Sequence, residues 1–361
     1  MIKAAIITRS TLFSAKGGDT VQVVETSRHL NSLGVKTEII LSNQEIKYNH
    51  FDILHFYNIT RPADISRHLH SSTIPFVITP IWIDYSDYDR FHRNGLSGKA
   101  LQFLPPGRIE YAKTLARWVK GTDNSPGLQY LMKGQENSIK QILERAALVL
   151  TNSDDEYEVL TKRYPKIPPQ NNVTLGINEE LFNPVKPVKR EDDLILCVAR
   201  VEGIKNQLNL IKAINKTRFR LILVGDPAPN QQEYYRACKK EAKGNIQFIN
   251  HLPQFLLTEY YQRAAVHVLP SWYESCGLAS LEAAAMGCRI VITRNGFAFS
   301  YFDDQAFYCE PSSPDSILQA INMAISQPCK SRLQEKIRTH YTWKQAAVQT
   351  REAYQKVLAK R

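Results

Sequence analysis

Short apolar runs alternate with helix-like patterns along the whole chain, and this alternation limits the fold more than any other feature. In the first half, Ala4–Thr8 leads through a glycine-containing loop into a helical stretch, Val21–Leu33, that stops at Gly34. Apolar runs this short, separated by helices, are typical of a parallel sheet covered on both faces. The other strand-like runs of this half are Thr37–Leu41, Ile53–Phe56, Phe76–Ile81 and Ala147–Thr151.

The pattern restarts after a segment rich in proline and charge, Asn183–Arg190, which has the composition of a linker. The sequence therefore predicts an α/β protein of two Rossmann-like, doubly wound domains that face each other across a cleft. Ligands of such sheets bind at the strand ends. The predicted strands of the second half are Leu194–Val198, Arg220–Val224, Ile246–Ile249, Val266–Leu269 and Arg289–Thr293, and the predicted helices are Gln207–Ile214, Gln232–Ala242, Thr258–Ala264 and Gly277–Met286.

The 361 residues are enough for two domains, and the balance of 43% hydrophobic and 22% charged residues is that of a globular chain. The longest apolar run, Ile74–Ile83, contains prolines and is far shorter than the ~20 residues of a membrane span. The first residues lack the features of a signal peptide. We therefore expect a cytoplasmic location rather than export.

The six cysteines all lie in the second half, and no two of them form a C-x-x-C pair. A zinc ribbon or a redox motif therefore has no support, and reduced thiols are expected. The formal net charge is +11, and residues 330–361 carry nine basic residues against two acidic ones. This basic tail could be a solvated helical face, or it could meet anionic lipid, nucleic acid or another polyanion.

Two cations, Arg200 and Lys205, follow the first strand of the second half directly and precede a helix. Across such a turn they can converge on one anion. Positioned cations stabilise the charge that develops on a diphosphate leaving group, without needing a metal. An R-x4-K spacing is common by chance in a chain with 46 basic residues, so the pair alone is a weak signal.

A second cluster runs from Pro270 to Gly287. It consists of a strand end, a loop with Glu274, a glycine turn and a helix of small residues that carries Glu282 on its second turn. The first amides of such a helix, with its dipole, favour a phosphate. Glu282 could accept hydrogen bonds from ribose hydroxyls, and Glu274 from a sugar beyond the phosphates. Neither a G-x-G-x-x-G nor a P-loop motif is present, so dehydrogenase and P-loop chemistry are disfavoured.

The segment from Glu274 to Glu282 resembles the E-x7-E signature of family-four retaining glycosyltransferases, which have the two-domain GT-B fold. Arg200 and Lys205 match the phosphate-binding pair of that family. The resemblance covers most of the chain and is more specific in the second half. Other matching segments are Gly17-Gly18, Asp52–His55, Gly176–Asn178, Phe182–Pro184 and Leu223–Asp226.

The resemblance implies transfer of a sugar from a nucleotide-sugar to a saccharide or lipid-linked acceptor, with retention and generally without a bound metal or other cofactor. Such transfer belongs to polysaccharide, lipopolysaccharide or glycoconjugate assembly. It implies a first domain of residues 1–182, a second of residues 183–342, and a C-terminal helix, within 343–361, that crosses back to the first. By the same resemblance, Arg200 and Lys205 would bind the donor diphosphate, Glu274 the donor sugar and Glu282 the ribose. The backbone amides of Cys276, Gly277 and Leu278 would bind the donor phosphates. The loop at Gly17 and Gly18 would contact the same phosphates or the acceptor.

Two departures from the family pattern concern substrate contacts. Many relatives have a histidine after the strand that here leads to Trp82 and Asp84, and this chain has none there. Either residue could supply the acceptor-side contact, although a structural role is favoured for Trp82. His251 stands where a glycine is expected near the nucleobase, so the base is not predicted.

Asp87 and Asp89 form a D-x-D tripeptide, which single-domain GT-A enzymes use to bind a divalent metal. Chance occurrence and the two-domain pattern both disfavour this alternative.

The stretch from His92 to Arg145 is long for a crossover. It contains an apolar stripe, flanked by basic residues, that predicts a helix packed on its own domain, with an acceptor or anionic-membrane element at the inner membrane face as the alternative. The stripe comprises Ile109, Ala112, Leu115, Ala116 and Val119, and the flanking residues are Lys113, Arg117 and Lys120.

Two other functions remain open at this stage. A sugar epimerase or phosphorylase could use the same scaffold. A non-catalytic protein that binds nucleic acid or a membrane surface would be supported by the basic excess alone. No helix-turn-helix, zinc finger or RNP-like pattern is present, so a nucleic-acid partner is not expected.

Overall fold

The computed structural model describes residues 1–69, 71–93, 98, 102–184, 188–327 and 331–360. The chain divides into two compact units, one of Met1–Leu175 with Trp343–Arg361 and the other of Gly176–Thr342. The boundary precedes the predicted residue 183 because the segment after Gly176 packs on the second unit. Ile177 pairs with Thr342, and the Phe182 ring packs edge-on against Tyr261. Residues 185–187 of the predicted linker lie outside the described residues.

The first unit contains a six-stranded sheet in the order β2-β1-β3-β4-β5-β6, with every neighbouring pair parallel. This is a doubly wound order whose direction reverses between β1 and β3. The strands are β1 (Lys3–Thr8), β2 (Lys36–Leu41), β3 (Ile53–Tyr57), β4 (Phe76–Thr79), β5 (Leu148–Thr151) and β6 (Gln170–Asn172). The helices between them are α1 (Gly18–Ser32), α2 (Pro62–Leu69), α3 (Pro106–Val119), α4 (Leu128–Arg145) and α5 (Asp154–Arg163).

The second unit contains a parallel six-stranded sheet in the order β12-β11-β10-β7-β8-β9. This is the strand order of a dinucleotide-binding fold, and its direction reverses between β7 and β10. The strands are β7 (Glu191–Val198), β8 (Arg220–Val224), β9 (Ile246–Ile249), β10 (Ala264–Leu269), β11 (Arg289–Thr293) and β12 (Phe307–Cys309). The helices are α6 (Gln207–Ile214), α7 (Gln232–Glu241), α8 (Gln254–Arg263), α9 (Leu278–Ala285), α10 (Phe299–Phe302), α11 (Pro314–Ser326) and α12 (Ser331–His340).

The last helix, α13 (Trp343–Leu358), belongs to the first unit. Its Tyr354 is fully buried, and the hydroxyl lies 2.8 Å from Nδ1 of His55 in β3. The Nε2 atom of His55 lies 2.8 Å from the Thr79 hydroxyl, and burial lowers the pKa of this histidine to about 3. A neutral imidazole therefore ties α13 to the sheet.

Local chemistry explains several element ends. α1 is capped at its C-terminus by Leu33, and Gly34 follows with φ +80°, the left-handed conformation that glycine adopts at no steric cost. At the start of α5, the Ser153 hydroxyl accepts a hydrogen bond from the Glu156 amide. The central strands β3, β4, β5 and β10 are buried along their full length, as expected of a sheet covered on both faces.

The predicted packing of helix α3 is only partly correct. Ile109 is buried, but Ala116 and Val119 are exposed, the latter to 81%. The face of α3 that meets α4 carries an aromatic residue instead, because the Tyr111 ring stacks on Tyr130 at 5.4 Å. The C-terminal end of the apolar stripe therefore lies at the surface.

The basic C-terminal segment is not an extended tail, because it forms helices α12 and α13. Several of its cations bind within the chain. Lys336 donates to the Tyr301 carbonyl and to Asp303, Arg338 donates to Asn183, and Lys356 donates to Asn171.

The described cysteines Cys197, Cys238, Cys276, Cys288 and Cys309 are buried and form no disulfide within the described residues, and Cys329 lies outside them. Among the helices that the structure describes, none combines the length and the apolar character needed to cross a bilayer.

Candidate functional site

The two clusters singled out in the second half follow the two strands at which its sheet order reverses. The cation-bearing turn follows β7, and the carboxylate-bearing loop follows β10. Ligands of open α/β sheets bind outside the carboxyl ends of the strands at this reversal. The fold therefore brings together the two clusters that the sequence places about 70 residues apart.

Side-chain hydrogen bonds hold the turn after β7 in one shape. The side chain of the buried Gln207 bonds to this turn twice. Its Nε2 donates to the Arg200 carbonyl at 2.8 Å, and its Oε1 accepts from the Glu202 backbone amide at 3.4 Å. The Gly203 amide donates to Gln231 at 3.2 Å. Gly225, with φ +147°, leaves no room for a Cβ, which would lie 2.1 Å from the Ala199 carbonyl oxygen. The end of β7 therefore packs directly on the end of β8.

The two predicted cations have different partners in this structure. The Nζ atom of Lys205 donates to Oε2 of Glu274 at 2.7 Å, and the Ser271 hydroxyl donates to the same oxygen at 3.0 Å. The Arg200 guanidinium pairs with Glu202 at 2.9 Å and is 42% exposed. Lys205 and Glu274 are thus in direct contact, whereas Arg200 is accessible to a ligand.

Main-chain bonds that the sequence interpretation missed fix Glu274. Its amide donates to the Asn295 carbonyl, and its carbonyl accepts from the Phe297 amide, both at 2.9 Å. A Cβ on Gly296, which has φ +104°, would lie 2.2 Å from the Glu274 carbonyl oxygen. The Asn295-Gly296 turn signal after β11 could have indicated a tight turn there, but not that it supports Glu274.

The helix start after Glu274 has the expected backbone. Gly277 has φ +78° and precedes α9, and a Cβ there would lie 3.2 Å from Cδ1 of Ile292. The amides of Leu278 and Ala279 are among the first of the helix, which have no acceptor within it. Cys276 is fully buried, and burial raises the pKa of its thiol well above the usual value, so the thiol is neutral and carries no charge toward an anion.

Glu282 is a buried carboxyl group with two donors. Its Oε1 accepts from the Gln254 amide at 2.7 Å, and its Oε2 accepts from the Tyr261 hydroxyl at 2.9 Å. Burial raises the pKa of Glu282 to about 7, and these two hydrogen bonds oppose the rise. The protonation state of this carboxyl therefore changes near neutral pH.

Gly17 and Gly18 lie in the first unit, where the loop after β1 ends: Gly17 is the N-cap of α1, and Gly18 is the first residue of that helix. Gly17 has extended backbone, and its amide donates to the Thr20 hydroxyl at 3.1 Å. A residue not singled out from the sequence, Arg9, shapes this loop. Its guanidinium donates to Asp19 at 2.6 and 3.0 Å and to the Ala15 carbonyl at 2.8 Å.

The two acceptor-side candidates differ in exposure. Trp82 is buried, its amide donates to Glu156 at 2.6 Å, and the Arg163 guanidinium lies over its ring at 5.3 Å. Asp84 is exposed and accepts from the Ser86 amide at 2.9 Å. Both residues line an open groove within the first unit. Burial raises the pKa of Glu156 to about 7, although two backbone amides donate to it.

The D-x-D tripeptide is divided between two environments. Asp89 is buried and forms ion pairs with Arg93 at 2.7 Å and Lys113 at 2.9 Å, whereas Asp87 is exposed. In the part of the chain that the structure describes, no group of three or more histidine, cysteine or acidic side chains could hold a metal ion.

A comparison with family models matches residues 178–340 to the group 1 glycosyl transferases. This range contains Arg200, Lys205, Glu274 and Glu282 and nearly all of the second unit.

Similar proteins cover more of the chain. A D-inositol 3-phosphate glycosyltransferase of Frankia alni is 26% identical over 320 residues, which are 78% of this chain and 78% of that protein. The chain spans less than half the length of other curated proteins of that name that it matches.

Solved structures support the two-domain GT-B fold over the full chain. Sucrose-phosphate synthase of Thermosynechococcus elongatus covers 100% of both chains at 15% identity with a TM-score of 0.78. An Anabaena protein solved with UDP and glucose covers 100% of this chain and 99% of its own at 13% identity with a TM-score of 0.64.

Proposed function

We propose that the chain, whose residues 178–340 match the group 1 glycosyl transferases, transfers a sugar from a nucleotide-sugar to a saccharide or lipid-linked acceptor, with retention at the anomeric carbon. The role would be in polysaccharide, lipopolysaccharide or glycoconjugate assembly. The Anabaena protein solved with UDP and glucose supports a nucleotide-sugar as donor.

The observation that carries this proposal is the contact between Lys205 and Glu274. It joins the turn after β7 to the loop after β10 at the reversal of the sheet. A cation for a diphosphate, a carboxylate for sugar hydroxyls and a helix start for a phosphate then lie at the same edge of the sheet in the second unit. Arg200 adds a second, accessible cation on the same turn.

The chemistry follows from where charge develops. When the bond between the anomeric carbon and the diphosphate oxygen breaks, the electron pair leaves with the diphosphate, and an acceptor oxygen forms the new bond to carbon and gives its proton to the departing diphosphate. Arg200 and Lys205 would stabilise the departing charge, together with the first amides of α9 near Gly277 and Leu278. Glu274 would orient the donor sugar, and Glu282 would accept hydrogen bonds from the ribose.

We propose that the reaction requires no divalent metal or other cofactor. The two cations offer the charge stabilisation that a metal supplies in other transferases. The Asp89 carboxylate, the more buried member of the D-x-D tripeptide, is engaged by Arg93 and Lys113. Activity that persists in excess chelator would agree with this proposal, and restoration by Mg²⁺ or Mn²⁺ would contradict it.

For the first unit we propose a substrate role at Asp84 rather than at the Trp82 side chain. Both residues line the open groove, but Asp84 is exposed, whereas Trp82 is buried beneath Arg163. Gly17 and Gly18 keep their proposed role beside the donor phosphates or the acceptor, at the start of α1, directly after a loop that Arg9 holds. Transfer that is unaffected in Asp84→Asn would remove Asp84 from the site.

We further propose that the protein contacts an anionic membrane on the cytoplasmic side. Within the described residues, exposed large apolar side chains are concentrated between residues 91 and 132, and exposed basic residues lie among them. We call this set the apolar-basic patch. Its apolar members are Phe91, Phe103, Trp118, Val119, Leu128 and Met132, and its basic members are Arg108, Lys120 and Lys133. Such a mixture suits the headgroup region of anionic lipid.

The test of the proposed reaction is a transfer assay. The protein is incubated with UDP-, GDP- or ADP-sugars and a panel of saccharide and lipid-linked acceptors, and the anomeric proton of the product is assigned by NMR. We expect nucleoside diphosphate to be released only when an acceptor is present, and the product to have the anomeric configuration of the donor. Release without an acceptor, or an inverted product, would contradict the proposal.

Arg220→Ala removes a cation of the second unit that pairs with Glu191 and Asp193, and it serves as the control for Arg200→Ala.

A further inference from the structure

Asn206, which directly follows Lys205, has a backbone conformation that few residues adopt. Its φ and ψ are 59° and 33°, in the left-handed region, and only 4% of the residue is exposed. Asparagine is one of the few residues other than glycine that occur there with any frequency. This conformation ends the short turn Gly203–Lys205 and allows α6 to begin at the next residue.

The Asn206 side chain joins three separate segments of the second unit. Its Nδ2 donates to the Pro270 carbonyl at 3.0 Å and to the Pro311 carbonyl at 2.7 Å. Both partners are acceptors, so the group between them must have two donor hydrogens, as the NH₂ of an amide does. Pro270 follows β10, and Pro311 follows β12. One side chain therefore fixes the turn after β7 against two loops at the same edge of the sheet.

These bonds lie next to the reacting groups. Pro270 is the residue before Ser271, whose hydroxyl donates to the Glu274 carboxylate at 3.0 Å. One further bond runs in parallel, from the Trp272 amide to the Ile204 carbonyl at 2.9 Å. The relative position of Lys205 and Glu274 thus depends on the segments that Asn206 connects.

We propose that Asn206 is a positioning residue of the donor site, which holds Lys205 and the Glu274 loop at the separation that a nucleoside diphosphate requires. This inference rests on the proposed function, because it assumes that the two residues bind the donor. Asn206 itself need not touch the ligand. Its contribution is preorganisation, since a ligand that finds its partners already placed does not have to order them.

The second unit offers a matched control in Asn245. Its Nδ2 donates to the Ile214 carbonyl at 3.1 Å and to the Phe219 carbonyl at 2.8 Å, and it directly precedes β9. Asn245 therefore makes the same kind of double hydrogen bond at the opposite end of the strands. In Asn206→Asp and Asn245→Asp, a carboxylate oxygen takes the place of the NH₂ group and faces two carbonyl oxygens. Both hydrogen bonds are lost, so each substitution should lower the melting temperature.

The experiment titrates UDP, GDP and ADP into the full-length protein by calorimetry and follows thermal unfolding of each variant. We expect Asn206→Asp to raise the Kd of the nucleoside diphosphate that binds by at least about tenfold, and Asn245→Asp to change it less than about twofold. Asn206→Gly keeps the left-handed backbone without the two hydrogen bonds. Its Kd for the nucleoside diphosphate should therefore lie between the values for Asn206→Ala and the unmodified protein. In the transfer assay, the KM for the donor should rise more than the KM for the acceptor.

The outcomes separate this inference from the proposed function. If the unmodified protein binds no nucleoside diphosphate, the proposed function fails, and this inference fails with it. If it binds one, and Asn206→Asp binds equally well or loses no more affinity than Asn245→Asp, the positioning role alone is overturned. Should Asn206→Asp not fold, the same comparison between Asn206→Gly and Asn245→Gly decides the question.

Discussion

Nζ of Lys205 lies 2.7 Å from Oε2 of Glu274, which joins a cation and a carboxylate from two loops of the second unit. Glu274 is 7% exposed. Two opposite charges held this close in a partly buried environment stabilise each other. Removing either one leaves the remaining charge without its partner. The pair is therefore a coupled unit, in which a donor must separate or bridge the two groups.

A double-mutant cycle tests this coupling. Lys205→Met and Glu274→Gln should each lower kcat/KM by on the order of 10²-fold, because each removes a group placed on the donor. The double variant should lose less than the product of the two single losses, since the second substitution removes a charge that the first has already left unpaired. Steady-state kinetics at a series of donor concentrations gives the four values. Strictly multiplicative losses would mean that the ion pair between Lys205 and Glu274 has no bearing on catalysis.

Donor affinity should depend on pH through Glu282. Burial raises the pKa of this carboxyl to about 7, and the charged form is the better acceptor for ribose hydroxyls. A carboxyl with this pKa loses most of its charge as the pH falls from 8 to 6, so the affinity for a nucleotide-sugar should fall by up to about tenfold over that range. Glu282→Gln should bind more weakly at pH 8 and show a flatter profile. Calorimetry with the intact nucleotide-sugar is suitable because its diphosphate does not titrate in this range. An unchanged slope in the variant would rule out this carboxyl as the source.

Gly296→Ala should damage donor binding, although the residue itself carries no chemistry. Its Cβ would lie 2.2 Å from the Glu274 carbonyl oxygen, so the loop that carries Glu274 must move. Gly34→Ala is the control, because Gly34 also has a positive φ, +80°, but a Cβ added there would meet no atom within 4 Å. Both variants should be destabilised by roughly 1 kcal/mol or more from backbone strain. Only Gly296→Ala should weaken binding of the intact nucleotide-sugar, by at least about tenfold, because Glu274 is placed on its sugar. Equal binding by the two variants would show that the Glu274 loop tolerates displacement.

The apolar-basic patch should bind anionic vesicles. Val119 and Met132 are each 81% exposed, and replacing both by Asp removes apolar area and adds negative charge. We expect flotation with vesicles that contain phosphatidylglycerol for the unmodified protein, and about a tenfold loss for Val119→Asp with Met132→Asp. Met323→Asp, at a residue of the second unit that is 52% exposed, is the matched control and should float normally. An unmodified protein that stays in the soluble fraction would dispose of the membrane proposal.

Periodicity in the sequence predicts the central strands and several helices closely. The predicted bounds of Gln207–Ile214, Arg220–Val224 and Ile246–Ile249 are those of the structure. The edge strands β6 and β12 were missed, because Gln170–Asn172 is wholly polar and Phe307–Cys309 has only three residues. Such strands are specified by pairing with a neighbour, which no local pattern records.

The site shows the same division between local and long-range information. Glycine turns and charged residues after strands indicated Arg200, Lys205, Glu274 and Glu282 as candidates. The sequence did not indicate Asn206 or Asn295, whose bonds to Pro270 and to the Glu274 amide join segments far apart in the chain. The expected packing of Val119 was wrong for a related reason, since periodicity marks an apolar stripe but does not say where its covering partner ends.

The most direct test of the donor site is a calorimetric titration of UDP, GDP and ADP into the unmodified protein and into Arg200→Ala, Lys205→Met and Arg220→Ala. We expect one of the nucleotides to bind the unmodified protein and the Arg220→Ala control with the same Kd. Arg200→Ala and Lys205→Met should each weaken that binding by at least about tenfold, because each removes a cation placed on the diphosphate. Equal affinities in all four proteins would contradict the assignment of the donor site to the turn after β7.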